Sequence, residues 1–183
     1  MNSEKSLREL AERQYNAAPL MTIDNDARYL ARAEMESGET FVIELYPRSA
    51  PQTVNSFVFL SQEGWFDGVT FHRVLPGFVA QTGDPSGTGR GGPGYQIPNE
   101  IDRKLSHREP GMVAMANAGP DTNGSQWYIT LADASFLDGS YTVFGRVIEG
   151  LDTVKRITPR DPQRNPNAAP GDRIAHMTIE KVG

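Results

Sequence analysis

Cysteine is absent from this 183-residue chain. Disulfides, thiolate metal centres and a cysteine nucleophile are therefore excluded. Long apolar runs are missing too. No stretch approaches the ~18 residues that cross a bilayer. The opening segment, MNSEKSLRELAERQYN, is charged and has no apolar core of the kind a secretory leader carries. Basic residues are in deficit, 18 Lys and Arg against 23 Asp and Glu, for a net charge of −5. Nucleic acid and anionic membrane surfaces generally require a basic face, so neither is expected as a partner. Histidine occurs only at His72, His107 and His176, with no pair at metal-ligating spacing, so no metal and no cofactor is expected. These absences leave an ordinary globular composition, a cytoplasmic setting, and a length that suits one domain with an appended tail.

What is present is mostly short and strand-like. Residues 3–16 have a narrow apolar stripe, Leu7, Leu10 and Ala11, with Ser3 or Ser6 as N-cap, and Pro19 ends the segment. A helix this short is marginal alone. Residues 1–26 are therefore read as a partly helical N-terminal extension, either a loosely docked tail or a contact that builds a homo-oligomer. The domain proper runs from 27 to 183. From Arg28 the period changes to two: Tyr29, Ala31, Ala33 and Met35 alternate with polar or exposed positions, Ser37-Gly38 turns, and Phe41, Ile43 and Leu45 return. Pro51 opens a helix that Gly64 closes. Further strands are expected at 70–74, 78–82, 111–115, 127–131, 142–147 and 173–181, with a second short helix around Leu151, Val154 and Ile157. About eight short strands and two helices, with a turn every ten residues or so, predict a mainly β fold: a closed eight-stranded antiparallel barrel with the helices at its ends. A barrel of that size fills its own interior, so the site is expected outside, where loops meet strand faces.

Several short patterns carry less than they suggest. Residues 87–92 read Gly-Thr-Gly-Arg-Gly-Gly, but Pro93-Gly94 follows and no helix opens there, so a dinucleotide loop is rejected. Ser125 lacks a nucleophile elbow and an ordered His/Asp set. Asn123-Gly124-Ser125 reads as a turn more simply than as a glycosylation site. His72 alternates with Arg73 and is expected to point away from it, into a buried hydrogen bond.

Two stretches are informative. Phe71–Asp84, FHRVLPGFVAQTGD, sets Arg73 and Gln81 on strands either side of a Pro76-Gly77 turn, beside Phe78 and Val79. Gly111–Ile129, GMVAMANAGPDTNGSQWYI, flanks Asn117 with the small Ala116 and Ala118 and puts Gln126 and Tyr128 on one strand face. Cation, amides and apolar rings on rigid strands suit a binding face for a peptide.

Together with Phe136–Val147, FLDGSYTVFGRV, these stretches resemble, in order, the signature segments of the cyclophilins, the peptidyl-prolyl cis-trans isomerases. The resemblance runs from about Arg28 to the C-terminus, and the Pro-rich loop before the last strand looks like that of bacterial members. It implies an active isomerase that assists protein folding by acting on proline-containing polypeptides. Arg73, Phe78, Gln81 and Asn117 would be catalytic. Val79, Tyr128 and Leu137 would join Phe78 around the proline ring. Gly87, Ala116, Ala118 and Gln126 would line the neighbouring groove, with Phe136 and Tyr141 on the rim. Four positions depart from the commonest family pattern. Val79 replaces methionine, Tyr128 phenylalanine, Tyr141 a frequent histidine, and Phe136 the tryptophan that many members use to bind cyclosporin. Weak cyclosporin binding is expected, because phenylalanine has no N–H to donate.

Overall fold

The computed structural model describes residues 12–183. Its strands are β1 (Arg28–Met35), β2 (Thr40–Leu45), β3 (Arg73–Leu75), β4 (Val79–Thr82), β5 (Met112–Met115), β6 (Trp127–Thr130), β7 (Val143–Glu149) and β8 (Ile174–Val182). Helix α1 (Pro51–Gln62) follows β2, helix α2 (Leu151–Lys155) follows β7, and a single 3-10 turn spans Ser135–Leu137. The eight strands form one antiparallel sheet in the order β3-β4-β6-β5-β7-β2-β1-β8. The sheet curls on itself, but no ladder joins β3 to β8. The seam is a bridge between Thr70 and Arg173 with flanking backbone bonds, Phe71 N–H to Asp172 O at 2.8 Å and Ile174 N–H to Val69 O at 3.0 Å. The expected closed barrel is therefore a curled sheet whose last edge is stitched just ahead of β3.

Alternation decides what the curl encloses. Tyr29, Ala31, Ala33 and Met35 of β1 face inward with Phe41, Ile43 and Leu45 of β2, and Trp127 and Ile129 of β6 join them. Phe57 of α1 lies 5.6 Å from Trp127 and 5.3 Å from Phe144, ring centre to centre. Val54, Phe57, Val58 and Leu60 of α1 and Val154 of α2 seal this core. Fully burying each large apolar side chain contributes about 1.5–3 kcal/mol. Pro51 stands in the first turn of α1, and Ala50 offers no capping side chain. The Glu100 carboxylate caps instead, accepting from Gln52 N–H at 3.1 Å and Thr53 N–H at 2.7 Å. This cap comes from a distant loop, a link that local sequence does not signal.

A second, smaller apolar cluster lies on the outer face of the same strands. It joins Val79, Met112, Ala114, Tyr128 and Val143, with Phe78, Leu137 and Tyr141 packed against it. All four residues of β5 and of β6 are buried for this reason, one face in each cluster.

The helix expected over residues 3–16 lies for the most part outside the described residues. Residues 14–27 run without helix or strand past α1 and the loop at Gly92–Tyr95. Tyr15 packs edge-on to Phe59 at 5.2 Å and to Tyr95 at 6.4 Å, and Arg13 lies over the Trp65 ring at 5.0 Å. The buried Asn55 holds the following turn. Its Oδ1 accepts from Thr22 N–H at 3.0 Å and its Nδ2 donates to Leu20 O at 3.0 Å.

Candidate functional site

Strand register assembles the site. Arg73 pairs with Gln81 across β3 and β4, Gln81 pairs with Tyr128 of β6, and Tyr128 pairs with Ala114 of β5. One row across the outer face thus reads cation, amide, phenol ring, methyl. Arg73 Nη1 donates to Gln81 Oε1 at 3.2 Å, and its guanidinium carbon lies 5.9 Å from the Phe78 ring centre. With Gln81 Oε1 occupied by the cation, its Nε2 donates to Gln126 Oε1 at 3.0 Å. Gln126 Nε2 then donates to Gly89 O at 2.9 Å and Gly91 O at 3.0 Å. The charge at one end sets the direction of every amide in this chain, because a guanidinium can only donate.

The glycine-rich loop at the far end is built around Asp84, which is fully buried. One carboxylate oxygen accepts from Ser86 N–H at 2.8 Å and Ser86 Oγ–H at 2.7 Å; the other accepts from Gly89 N–H at 2.8 Å and Gly91 N–H at 3.0 Å. A buried carboxylate requires such partners. The same two glycines are therefore gripped on both sides, their N–H groups by Asp84 and their carbonyls by Gln126. Gly89 has a φ of +82°, which side chains other than glycine rarely adopt.

Beneath the apolar cup lies a buried polar chain. The Tyr128 hydroxyl is 2.7 Å from His107 Nε2, and His107 Nδ1 is 2.7 Å from Asp138 Oδ1. Asp138 also accepts from His107 N–H at 2.8 Å and from the Ser106 hydroxyl at 2.5 Å. Partial burial works against the Asp138 carboxylate, but the Ser106 and His107 donors outweigh it and hold its pKa below the usual value. Burial, reinforced by Tyr141 and Asp138, drives the Tyr128 phenol well above the ordinary tyrosine range, so the hydroxyl keeps its proton. Asp138 follows directly on the 3-10 turn that carries Phe136 and Leu137, so the chain ties the rim of the cup to its floor.

Two adjoining depressions result. The first, about 340 Å3, is lined by Arg73, Phe78, Val79, Gln81, Asn117, Tyr128, Leu137 and Tyr141, and also by His72, Thr88, Gly89, Ala116, Pro162 and Gln163. The second, about 850 Å3, shares Gln81, Gly89, Ala116 and Asn117 with the first and continues along Gly91–Gln96, Ala118 and Gln126 to Gln14. Asn117 Oδ1 accepts from Gly119 N–H at 3.2 Å, and its Nδ2 faces Asn123 Oδ1 and Ser140 O, both at 3.4 Å.

Most of the expected site residues thus border one continuous surface, and two do not. Gly87 is displaced from the groove: its N–H is bonded back to Asp84 O at 2.9 Å, and the loop presents Gly89 to Gly92 in its place. Phe136 lines neither depression. It is 73% exposed and stacks on Phe78 at 5.6 Å, a ledge beside the cup. His72 also departs from expectation. It is buried, yet it borders the first depression beside Arg73, and its Nδ1 meets no protein partner among the described residues. Burial lowers its pKa; Asp84 opposes this, while Arg160 and Arg73 add to it. Asn123 is fully buried, with Nδ2 donating to Asn99 Oδ1 at 2.8 Å and Ile97 O at 3.1 Å, so it is no glycan acceptor in the folded chain. Ser125 Oγ–H donates to Gly83 O at 2.7 Å in the interior. Sequence reasoning passes over Asp84, His107, Asp138, Pro162 and Gln14. A buried Asp ahead of a glycine run is the one signal that could have flagged the first.

A shallow apolar cup with a guanidinium on its wall and amides along the adjoining groove presents an apolar seat beside polar groups on one surface. Residues 31–179 match the family model described as cyclophilin type peptidyl-prolyl cis-trans isomerase/CLD. The chain is 49% identical over 132 residues to the Schizosaccharomyces pombe peptidyl-prolyl cis-trans isomerase ppi1, covering 70% of this chain and 85% of that one. It is 48% identical over 120 residues to the Arabidopsis thaliana peptidyl-prolyl cis-trans isomerase CYP18-2, covering 64% and 73%. A Cryptosporidium parvum cyclophilin type isomerase, crystallised in the presence of the dipeptide Ala-Pro, superposes with a TM-score of 0.74 at 33% identity over 82% of this chain and 98% of its own. The chain belongs to the cyclophilin-type peptidyl-prolyl cis-trans isomerases. These relatives are eukaryotic, and the bacterial likeness of the Pro-rich loop gains no support from them.

Proposed function

We propose that residues 27–183 accelerate rotation about X–Pro bonds in polypeptides by letting Arg73 donate to the proline nitrogen of the twisted amide. Amide resonance sets a barrier of ~18–20 kcal/mol, and twisting moves the lone pair back onto nitrogen, which becomes an acceptor only near the transition state. A donor aimed there lowers the barrier without favouring either planar isomer. The observation that carries this reading is the Arg73–Gln81 bond of 3.2 Å on paired strands, which holds the guanidinium over the cup formed by Phe78, Val79, Tyr128 and Leu137. In this reading Asn117 and Gln81 hold the substrate backbone, and Tyr141 closes the rim. The chemistry requires no nucleophile, metal or cofactor. A role in assisting the folding of proline-containing chains, in the cytoplasm, belongs to the same proposal.

The test is a coupled isomerisation assay on a short X–Pro peptide. Arg73→Ala is expected to reduce kcat/KM by about 10²–10³-fold, the usual cost of one transition-state donor, with peptide binding largely kept. Equal and negligible turnover by wild type and variant, with binding intact, would leave a proline-peptide binding module. Assembly through residues 1–26 stands as a separate proposal, motivated by Leu20 and Met21, which are 86% and 51% exposed. An unchanged subunit count on removing those residues would sink it.

A further inference from the structure

The groove beside the cup has a wall that the family model does not reach. The match begins at residue 31, yet Gln14 borders the groove together with Gly89 to Gln96. Its placement is enforced. Gln14 Nε2 donates to Gly92 O at 2.9 Å, and Tyr15 N–H donates to Pro93 O at 2.8 Å. The Tyr15 ring sits among Phe59, Trp65 and Tyr95 at 5.2, 6.1 and 6.4 Å. Tyr95 is itself fixed, its hydroxyl 2.7 Å from Ser56 Oγ. Gly94 has a φ of +93°, and a Cβ there would stand 2.5 Å from Tyr15 O and 3.1 Å from Gln14 Oε1. The two backbones approach so closely that only glycine fits between them.

Gln14 touches the same loop whose other carbonyls hold Gln126. Gly92 O receives Gln14 on one side, and Gly89 O and Gly91 O receive Gln126 on the other. Through Gln126 and Gln81 this loop is linked to Arg73. The groove between carries polar groups, Gln96, Asn117, Thr122 and Gln126, and one cationic side chain, Arg90. Among the described residues no carboxylate pairs with the Arg90 guanidinium.

We propose that Gln14, locked in place by Tyr15, is a specificity-determining residue: it forms the outer wall of the groove that receives the residues ahead of proline, and with Arg90 it selects an acidic side chain there. The inference rests on the isomerase reading, since it needs proline in the neighbouring cup. A carboxylate in this groove meets the Arg90 cation and no acidic side chain, whereas an ammonium meets Arg90 with no compensating anion among the lining residues.

The experiment compares kcat/KM on four peptides, Z-Ala-Pro-Phe with Z as Asp, Gln, Leu or Lys, at low salt. Wild type is expected to prefer Asp over Lys by about 3- to 10-fold, the effect of one hydrogen bond or exposed charge contact. Gln14→Glu is expected to bring that ratio to one or below, because a carboxylate on the wall repels Asp and attracts Lys. Tyr15→Ala, which frees the wall without changing charge, is expected to flatten the whole series to within about twofold. A merely structural role for Gln14 would lower all four peptides together. Turnover with an Asp-to-Lys ratio that Gln14→Glu does not move overturns the assignment while leaving the isomerase intact. Absence of turnover by wild type on every peptide overturns the isomerase reading and this inference with it.

Discussion

The Tyr128 hydroxyl is hydrogen-bonded to the fully buried His107, 2.7 Å away, and not turned into the cup. With Asp138 ionised, His107 Nδ1 carries a proton, and in the neutral ring Nε2 accepts the tyrosine O–H. The hydroxyl is thus a structural element under the cup, and its ring presents the same face a phenylalanine would. Tyr128→Phe should keep kcat/KM within about threefold and lower stability by about 1–3 kcal/mol, since it strands a buried ring nitrogen. Denaturant melts and the isomerase assay on one preparation check this. A hundredfold loss of turnover with unchanged stability would instead give the hydroxyl a part in the chemistry.

Asp84 should matter as much as any residue that touches substrate. Asp84→Ala takes the acceptor from the buried Ser86 N–H and from the part-buried Gly89 and Gly91 N–H groups. The expected cost is about 3 kcal/mol, together with a tenfold or larger fall in kcat/KM as the carbonyls that hold Gln126 drift. Asn at this position should lie between, because an amide has one acceptor oxygen where the loop uses two. Wild-type turnover in Asp84→Ala would show that the loop does not position the site.

Stability should fall as the solution is acidified from pH 7 to pH 5, and His72 should account for part of the slope. Its pKa is lowered in the folded chain, chiefly by burial. Below the unfolded value of about 6.5 the unfolded chain binds this proton first, so acid favours unfolding, by up to about 1.4 kcal/mol per pH unit. The loss ends only below the depressed folded pKa. Urea midpoints for wild type and His72→Gln at pH 7, 6 and 5 would read it. Parallel lines for the two proteins would exclude His72 as the source.

Cyclosporin should bind weakly. Phe136 stacks on Phe78 as a ledge and has no N–H to offer. Phe136→Trp should tighten binding by about tenfold, the effect of one added hydrogen bond at the favourable end of its range. Titration calorimetry on both proteins checks it, and nanomolar affinity in the wild type would refute the argument.

Much of this protein was written in its one-dimensional pattern, and the reason is local. Period-two alternation from Tyr29 to Met35 marks an inward face because successive side chains leave a strand on opposite sides. Pro76-Gly77 dictates the turn that brings Arg73 opposite Gln81, as the strand register has it. Proline and glycine bounded α1 for equally local reasons, and three motifs in order sufficed for the family. Among the site residues that were missed, His107, Asp138 and Gln14 have partners far away in sequence. Asp84 differs, since Ser86, Gly89 and Gly91 lie within seven positions of it, and its one local sign is an Asp ahead of a glycine run. His107 and Asp138 stand 31 positions apart and meet under Tyr128. Gln14 reaches Gly92 across 78 positions, and Gly87 lost its expected place when the loop closed on Asp84. The composition and alternation of the chain determined a curled antiparallel sheet with a cation and a ring on its outer face. Only the tertiary structure decided which loops would enclose that face, because loop closure depends on buried polar contacts that no local propensity encodes.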